Sequence, residues 1–191
     1  DVRLIESRIF PDGLQGHNAV ATLLALEHCP ADKCAEWDEF FAHMLSDHVV
    51  NTIQPAGVLT SAKADWLRRA LSRGGLIASR NEFEVLVRIV ELAGRENHEL
   101  VTFALNQVWY GVVEGEGPLA SHRKGLWASL GMEQLSSINR ILAATGSPEP
   151  FSIADAEALF DPVHNLAPGG QASVWQDFVA PVAQQPSALA A

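Results

Sequence analysis

Apolar residues recur along most of the chain with the period of an α-helix. The clearest stripe follows the i, i+3, i+4, i+7, i+8 spacing of a core-facing helix and consists of Trp37, Phe40, Phe41, Met44 and Leu45. A second stripe consists of Leu100, Phe103, Ala104, Val108 and Val112. Strand signals are scarce, because no segment sustains a polar–apolar alternation and no Asn-Gly or Asp-Gly turn joins β-branched runs. The pattern predicts an all-α protein of about eight or nine helices.

The aromatic stripe is repeated along the chain. Trp37-Asp38-Glu39-Phe40-Phe41 has a close copy in Trp175-Gln176-Asp177-Phe178-Val179 and a weaker one in Leu100-Val101-Thr102-Phe103-Ala104. Eighteen positions before these segments, near the start of apolar helical stretches, stand Ala19, Glu82 and Glu157. The sequence therefore predicts three degenerate copies of one helical unit around a Trp, Phe and Leu core.

Breaks in the periodicity divide the chain into segments. Gly115-Glu116-Gly117-Pro118 ends the second copy, and few periodic apolar residues follow it as far as Gly125. We expect a two-repeat helical domain over residues 1–113, a linker or irregular connection over 114–131, a third degenerate repeat over 132–183 and a flexible tail over 184–191. The tail contains mostly Gln, Pro, Ser and Ala and has too little apolar bulk to pack.

Capping residues mark several helix starts. Ser79-Arg80-Asn81-Glu82 has the spacing of a capping box, in which the serine and the glutamate satisfy each other's backbone N–H groups. Thr60 or Ser61 is placed to cap the helix that follows the Gln54-Pro55-Ala56-Gly57 turn. Gly74-Gly75 is expected to end that helix.

Composition narrows the class of protein. The hydrophobic fraction of 48% and the charged fraction of 19% are typical of a globular domain, and the apolar runs are shorter than the roughly 20 residues that cross a bilayer. The net charge of −10 opposes binding to phosphate backbones, so no nucleic-acid partner is expected. Two cysteines are too few for a disulfide scaffold and favour a reducing cytoplasm.

The order of helix, Asp-Gly or Gly-Gly, and a helix with Glu near its start resembles TerB-like helical domains and, more distantly, EF-hand pairs. The resemblance covers about residues 1–113, with an echo in 132–183, and extends to uncharacterised bacterial proteins that share the Trp-x-x-Phe repeat. It implies a helical fold and, for the TerB-like domains, an acidic metal site whose ligands cannot be matched here. An EF-hand needs oxygen ligands at loop positions that this chain fills, around Gly13, with Arg8, Phe10, Asp12 and Ala19 and, around Gly75, with Ala70, Ser72, Gly74 and Asn81. Calcium binding of that type is therefore not expected, and the resemblance is EF-hand-like without calcium ligands.

Candidate metal ligands are few. One imidazole and two thiols lie within seven residues, and a second histidine and an aspartate stand four apart on one predicted helix face: His28, Cys29, Cys34, His43 and Asp47. Neither group includes the second ligand pair of a typical zinc site, so the first interpretation is that no cofactor binds, and a divalent metal is the alternative.

Candidate partner-binding residues are more numerous. Arginines concentrate in one segment, and two tryptophans stand off the apolar stripes, which gives the set Arg68, Arg69, Arg73, Arg80, Trp109 and Trp127. Tryptophan and arginine dominate the energetics of protein interfaces, and clustered basic charge attracts an acidic partner. Nucleophile elbows, P-loops and His-Glu-x-x-His motifs are absent from the sequence.

We therefore expect a cytoplasmic, non-enzymatic interaction or regulatory module that binds another protein. A TerB-like protein that binds a metal or a small ligand is the alternative, and an enzyme with a site assembled from separate helices is a third hypothesis. The terminal Ala-Leu-Ala-Ala of residues 188–191 also resembles the end of the degradation tag that AAA+ proteases bind.

Overall fold

The computed structural model describes residues 2–93, 97–120, 130–147, 150–160 and 175–181, without the side chains of residues 156–158 and 160. Trp127, the side chain of Glu157 and the tail over 184–191 lie outside the described residues.

Helices dominate the described part of the chain. The first half contains α1 (Val2–Ile9), α2 (Gly16–Glu27), α3 (Ala35–Asp47), the π-helical segment π1 (His48–Thr52) and α4 (Ser61–Leu71). A hairpin of β1 (Ser72–Arg73) and β2 (Leu76–Ile77) follows. The second half contains α5 (Arg80–Ala93), α6 (His98–Trp109), π2 (Tyr110–Glu114), α7 (Met132–Ala144), α8 (Ile153–Phe160) and the helical residues 175–181, here α9. The predicted all-α class is confirmed, and none of these described helices is long and apolar enough to cross a bilayer.

Helix α5 lies at the centre of the core. It contacts α3, α4, α6 and α7, and its apolar side chains are buried around most of its circumference: Phe83, Val85, Leu86, Val87, Ile89 and Val90. A helix with so wide a buried face needs several neighbours, and α5 has them. The same core cluster includes Trp37 and Phe41 of α3, Leu100 of α6 and Ile138 of α7.

The start of α5 is fixed by the predicted capping box. Glu82 N donates to Ser79 Oγ at 3.0 Å, and Ser79 N donates to Glu82 Oε2 at 3.0 Å. Thr60 caps α4 in the same manner, by accepting from Lys63 N at 3.3 Å. These contacts confirm the capping residues that the sequence indicates.

The one narrow polar stripe of α5 carries an ion-pair network. Glu84, Arg88 and Glu91 stand at i, i+4 and i+7. Arg88 Nη2 lies 2.6 Å from Oε2 of Glu39 on α3, and Arg140 of α7 donates to both Glu84 and Glu91 at 2.7–3.0 Å. Burial alone would raise the pKa of Glu84, but hydrogen bonds from Arg140 and Arg88 outweigh it and leave that pKa below its usual value. The network thereby joins α3, α5 and α7.

The described part of the predicted linker is packed against its neighbours. Leu119 is buried, its carbonyl accepts from Gln134 Nε2 at 2.9 Å, and a Cβ at Gly111 would lie 2.7 Å from that same carbonyl oxygen. Residues 115–120 therefore lie against π2 and α7. The division of the chain into domains stays a prediction.

We predict that Arg140→Gln lowers the free energy of unfolding by about 1–2 kcal/mol, because it removes a part-buried guanidinium that binds two carboxylates. Arg80→Gln is the matched control, since Arg80 also joins α5 to α7, through Glu133, but with its side chain 67% exposed. The control should cost less than about 0.5 kcal/mol. Urea unfolding of the three proteins measures both values, and equal losses would contradict the prediction.

Burial at His48 predicts a pH dependence of stability. The side chain is 7% exposed beside Trp66, and burial lowers the pKa of His48 from its usual 6.5, against the opposing effects of a bond to the Leu14 backbone and the charge of Asp47. The unfolded chain then binds a proton that the folded chain does not, so the free energy of unfolding falls as the pH drops below about 6.5. Replacing His48 by Phe should remove that part of the decline in urea unfolding between about pH 7 and pH 5. The same pH profile in both proteins would contradict the prediction.

Candidate functional site

Helix α4 presents its two arginines to solvent because of its register. Ala64, Leu67 and Leu71 face the core, so Arg68 and Arg69 fall on the outer side. Arg68 Nη2 lies 2.9 Å from Asp65 Oδ1, with both side chains about half exposed (48% and 47%). Arg69 makes no ion pair within the described part of the chain. Among the described residues, the Arg69 guanidinium is thus exposed and without a carboxylate partner.

The hairpin after α4 turns the chain toward α6. Gly74 and Gly75 both have positive φ, 64° and 90°, as a two-residue turn of type I′ requires. Gln107 of α6 is fully buried and fastens this turn, because its Nε2 donates to Gly75 O at 2.9 Å and its Oε1 accepts from Ile77 N at 2.9 Å. The amide thus positions the hairpin against α6.

Two adjoining cavities lie along α6, one on the side of α4 and the other on the side of α9, and we call them together the α4–α6 groove. The first, of about 410 Å³, is lined by Arg68, Arg69, Ser72, Gly74, Gly75, Phe103, Asn106, Gln107 and Tyr110. The second, of about 350 Å³, is lined by Thr102, Asn106, Trp109, Tyr110, Trp175, Gln176, Val179 and Ala180. Asn106 and Tyr110 belong to both, so the groove runs from a basic end to an aromatic end.

Aromatic contacts hold the second end in place. Trp175 Nε1 donates to Asn106 Oδ1 at 2.9 Å, which fastens α9 to α6. Trp109 and Tyr110 meet edge to face with their ring centroids 5.4 Å apart. Both residues are partly exposed, so each ring offers apolar surface to a ligand in the groove.

The structure brings together three of the predicted partner-binding residues. Arg68, Arg69 and Trp109 line the groove. Arg73 lies on β1 and lines a separate cavity, while Arg80 binds Glu133 of α7 at 2.8 Å. Trp127 lies outside the described residues.

The candidate metal ligands lie on α3 and in the connection between α2 and α3. Cys29 and Cys34 are free and exposed, His28 Nε2 lies 2.9 Å from Glu82 Oε1, and Asp47 Oδ1 accepts from Asn51 Nδ2 at 2.7 Å. His43 is exposed on α3. Within the described residues, no three His, Cys, Asp or Glu side chains are grouped so that they could hold a metal ion.

Sequence reasoning missed Asn106, Gln107 and Tyr110. The signal that was present is a pair of amides inside the apolar stripe of α6, where a buried polar side chain must find partners. Their partners lie about 30 residues earlier in the hairpin and 69 residues later in α9, distances that no local pattern encodes.

Comparison with known proteins identifies no relative of this chain. No protein-family model matches the chain, and no curated protein and no solved structure is similar enough to count as a match. The TerB-like resemblance therefore stays a hypothesis.

We predict that Gln107→Leu lowers the free energy of unfolding by about 1–3 kcal/mol, since it leaves the buried Ile77 N–H without a partner. Gln15→Leu is the control, because Gln15 makes the same kind of amide-to-carbonyl bond on the surface, to Asp12 O at 2.9 Å. Urea unfolding and amide exchange at Ile77 measure the effect. Stability and exchange unchanged from the parent would show that the amide does not hold the hairpin.

Proposed function

We propose that the protein is a non-enzymatic interaction or regulatory module whose α4–α6 groove binds an acidic segment of another protein. The observation that carries the proposal is the adjacency of free arginine surface and partly exposed aromatic rings in one groove, with Asn106 between them. Arginine, tryptophan and tyrosine are the residues that dominate binding energy in protein interfaces.

The chemistry of the groove defines its ligand. Arg68 and Arg69 suit carboxylates, which a guanidinium binds through two parallel hydrogen bonds. The partly exposed rings of Trp109 and Tyr110 suit an apolar or aromatic side chain. An acidic peptide with one aromatic residue satisfies both ends of the groove.

The net charge of −10 does not prevent this binding. Charges more than about 8 Å from a ligand are largely screened at physiological salt. The two arginines at the groove therefore contribute more to the local potential than the distant carboxylates do.

We also propose that the three aromatic segments are copies of one unit. In each copy the first position is buried, at Trp37, Leu100 and Trp175, and so is the position four residues later, at Phe41, Ala104 and Val179. Helices α3 and α6 both continue into a five-residue π-helical segment. The shared burial pattern and the paired π segments support the proposal.

The test uses a short fluorescent peptide in which glutamates flank one phenylalanine. We expect saturable binding, measured by fluorescence anisotropy, that weakens with salt and changes the indole NMR signals of Trp109 and Trp175. Arg69→Glu should weaken binding at least about tenfold. Arg8→Glu is the matched control, because Arg8 is also an exposed helical arginine but lies on α1, outside the groove, and it should change the affinity little.

Two outcomes would overturn the proposal. Equal losses from both substitutions would mean that the peptide senses only overall charge. Tighter binding of a single-stranded oligonucleotide at the same tryptophans would mean that the groove serves a nucleic acid.

A further inference from the structure

A further cavity, of about 340 Å³, lies between α2, α4 and the hairpin, apart from the two cavities of the α4–α6 groove. Its walls are apolar and include Leu24 and Ala25 of α2, Ala70 and Leu71 of α4, and Leu76 of β2. The short alanine side chains leave the space that leucines would fill. The volume falls within the range of small-molecule sites, about 300–1,000 Å³. This cavity shares no lining residue with the α4–α6 groove.

Three polar side chains line the cavity, and two of them are free to meet a ligand. Glu82 is 1% exposed and has both carboxylate oxygens occupied, Oε1 by His28 Nε2 at 2.9 Å and Oε2 by Ser79 N at 3.0 Å. His28 keeps a third of its side chain exposed. Arg73 is exposed and makes no ion pair with any described residue. The available groups are therefore a cation and an imidazole.

The charge of the cavity follows from these three groups. Burial raises the pKa of Glu82, while the bonds to the Ser79 backbone and to His28 oppose that effect. The oxygens of Glu82 are held by these bonds. Arg73, whose guanidinium stays protonated at neutral pH, is therefore the cation that a ligand meets in the cavity.

We propose that this cavity binds a small monocarboxylate with a short hydrocarbon body. The guanidinium of Arg73 binds the carboxylate, and His28, held in orientation by Glu82, provides a second polar contact. The hydrocarbon body lies against the leucine and alanine walls, where its burial stabilises the complex. A phosphate dianion finds one guanidinium among these lining residues and otherwise mostly apolar walls, which do not bind it. An amine is repelled by Arg73 and finds the oxygens of Glu82 already bonded.

Octanoate is the probe that tests the proposal. We expect one-to-one binding by titration calorimetry and a saturable shift of the His28 imidazole signals by NMR, while octylamine and inorganic phosphate give neither. Arg73→Gln should weaken octanoate binding at least about tenfold. Ala25→Leu places a larger side chain at the exposed rim of the cavity and should block binding while leaving the circular dichroism spectrum unchanged.

Arg80→Gln is the matched control, because it removes one exposed cation from the same segment without touching the cavity, and it should bind octanoate like the parent. No saturable signal, or unchanged binding in Ala25→Leu, would overturn the proposal. Phosphate binding as tight as octanoate would show a simple anion site instead. The peptide test of the α4–α6 groove depends on Arg69, so failure of either proposal leaves the other intact.

Discussion

The rest of the structure depends on the burial of α5. Its buried apolar residues form a wide face, which packs against α3, α6 and α7. Glu39 of α3 and Arg140 of α7 form ion pairs with the polar stripe of α5. Helix α5 therefore supplies both the centre of the core and the charged side chains that pair with α3 and α7.

Helix α6 links the core to the hairpin and to α9. Its buried face packs on α5, while Gln107 holds the hairpin and Asn106 holds Trp175. Burying an amide is costly unless its hydrogen bonds are made, so the fully buried Gln107 fixes the position of the hairpin. The half-buried Asn106 adds a hydrogen bond to α9. The α4–α6 groove is formed between those segments.

The sequence predicts more of the fold than of the candidate site. The stripe at Trp37 and the capping box at Ser79 and Glu82 are local patterns, and such patterns predict helices. The hairpin escaped prediction because two-residue strands show no alternation, and Gly74-Gly75 has the same appearance as a helix end. Residue type, the clustering of arginines and the position of Trp109 off the apolar stripe indicate Arg68, Arg69 and Trp109 as binding candidates. That they share a groove, while Arg80 binds Glu133, depends on helix packing.

Residues of the hairpin line both the α4–α6 groove and the cavity of His28 and Glu82. Successive strand residues point to opposite sides, so Ser72 lines the α4–α6 groove whereas Arg73 lines the cavity of His28 and Glu82. Gly74 and Gly75 of the turn both line the groove, and Leu76 after the turn lines the cavity of His28 and Glu82. A strand of two residues has few bonds to resist displacement, and Gln107 supplies two hydrogen bonds that tie the turn to α6. Any shift of this hairpin changes the shape of both cavities at once, which makes the buried amide of Gln107 the residue that sets the geometry of each.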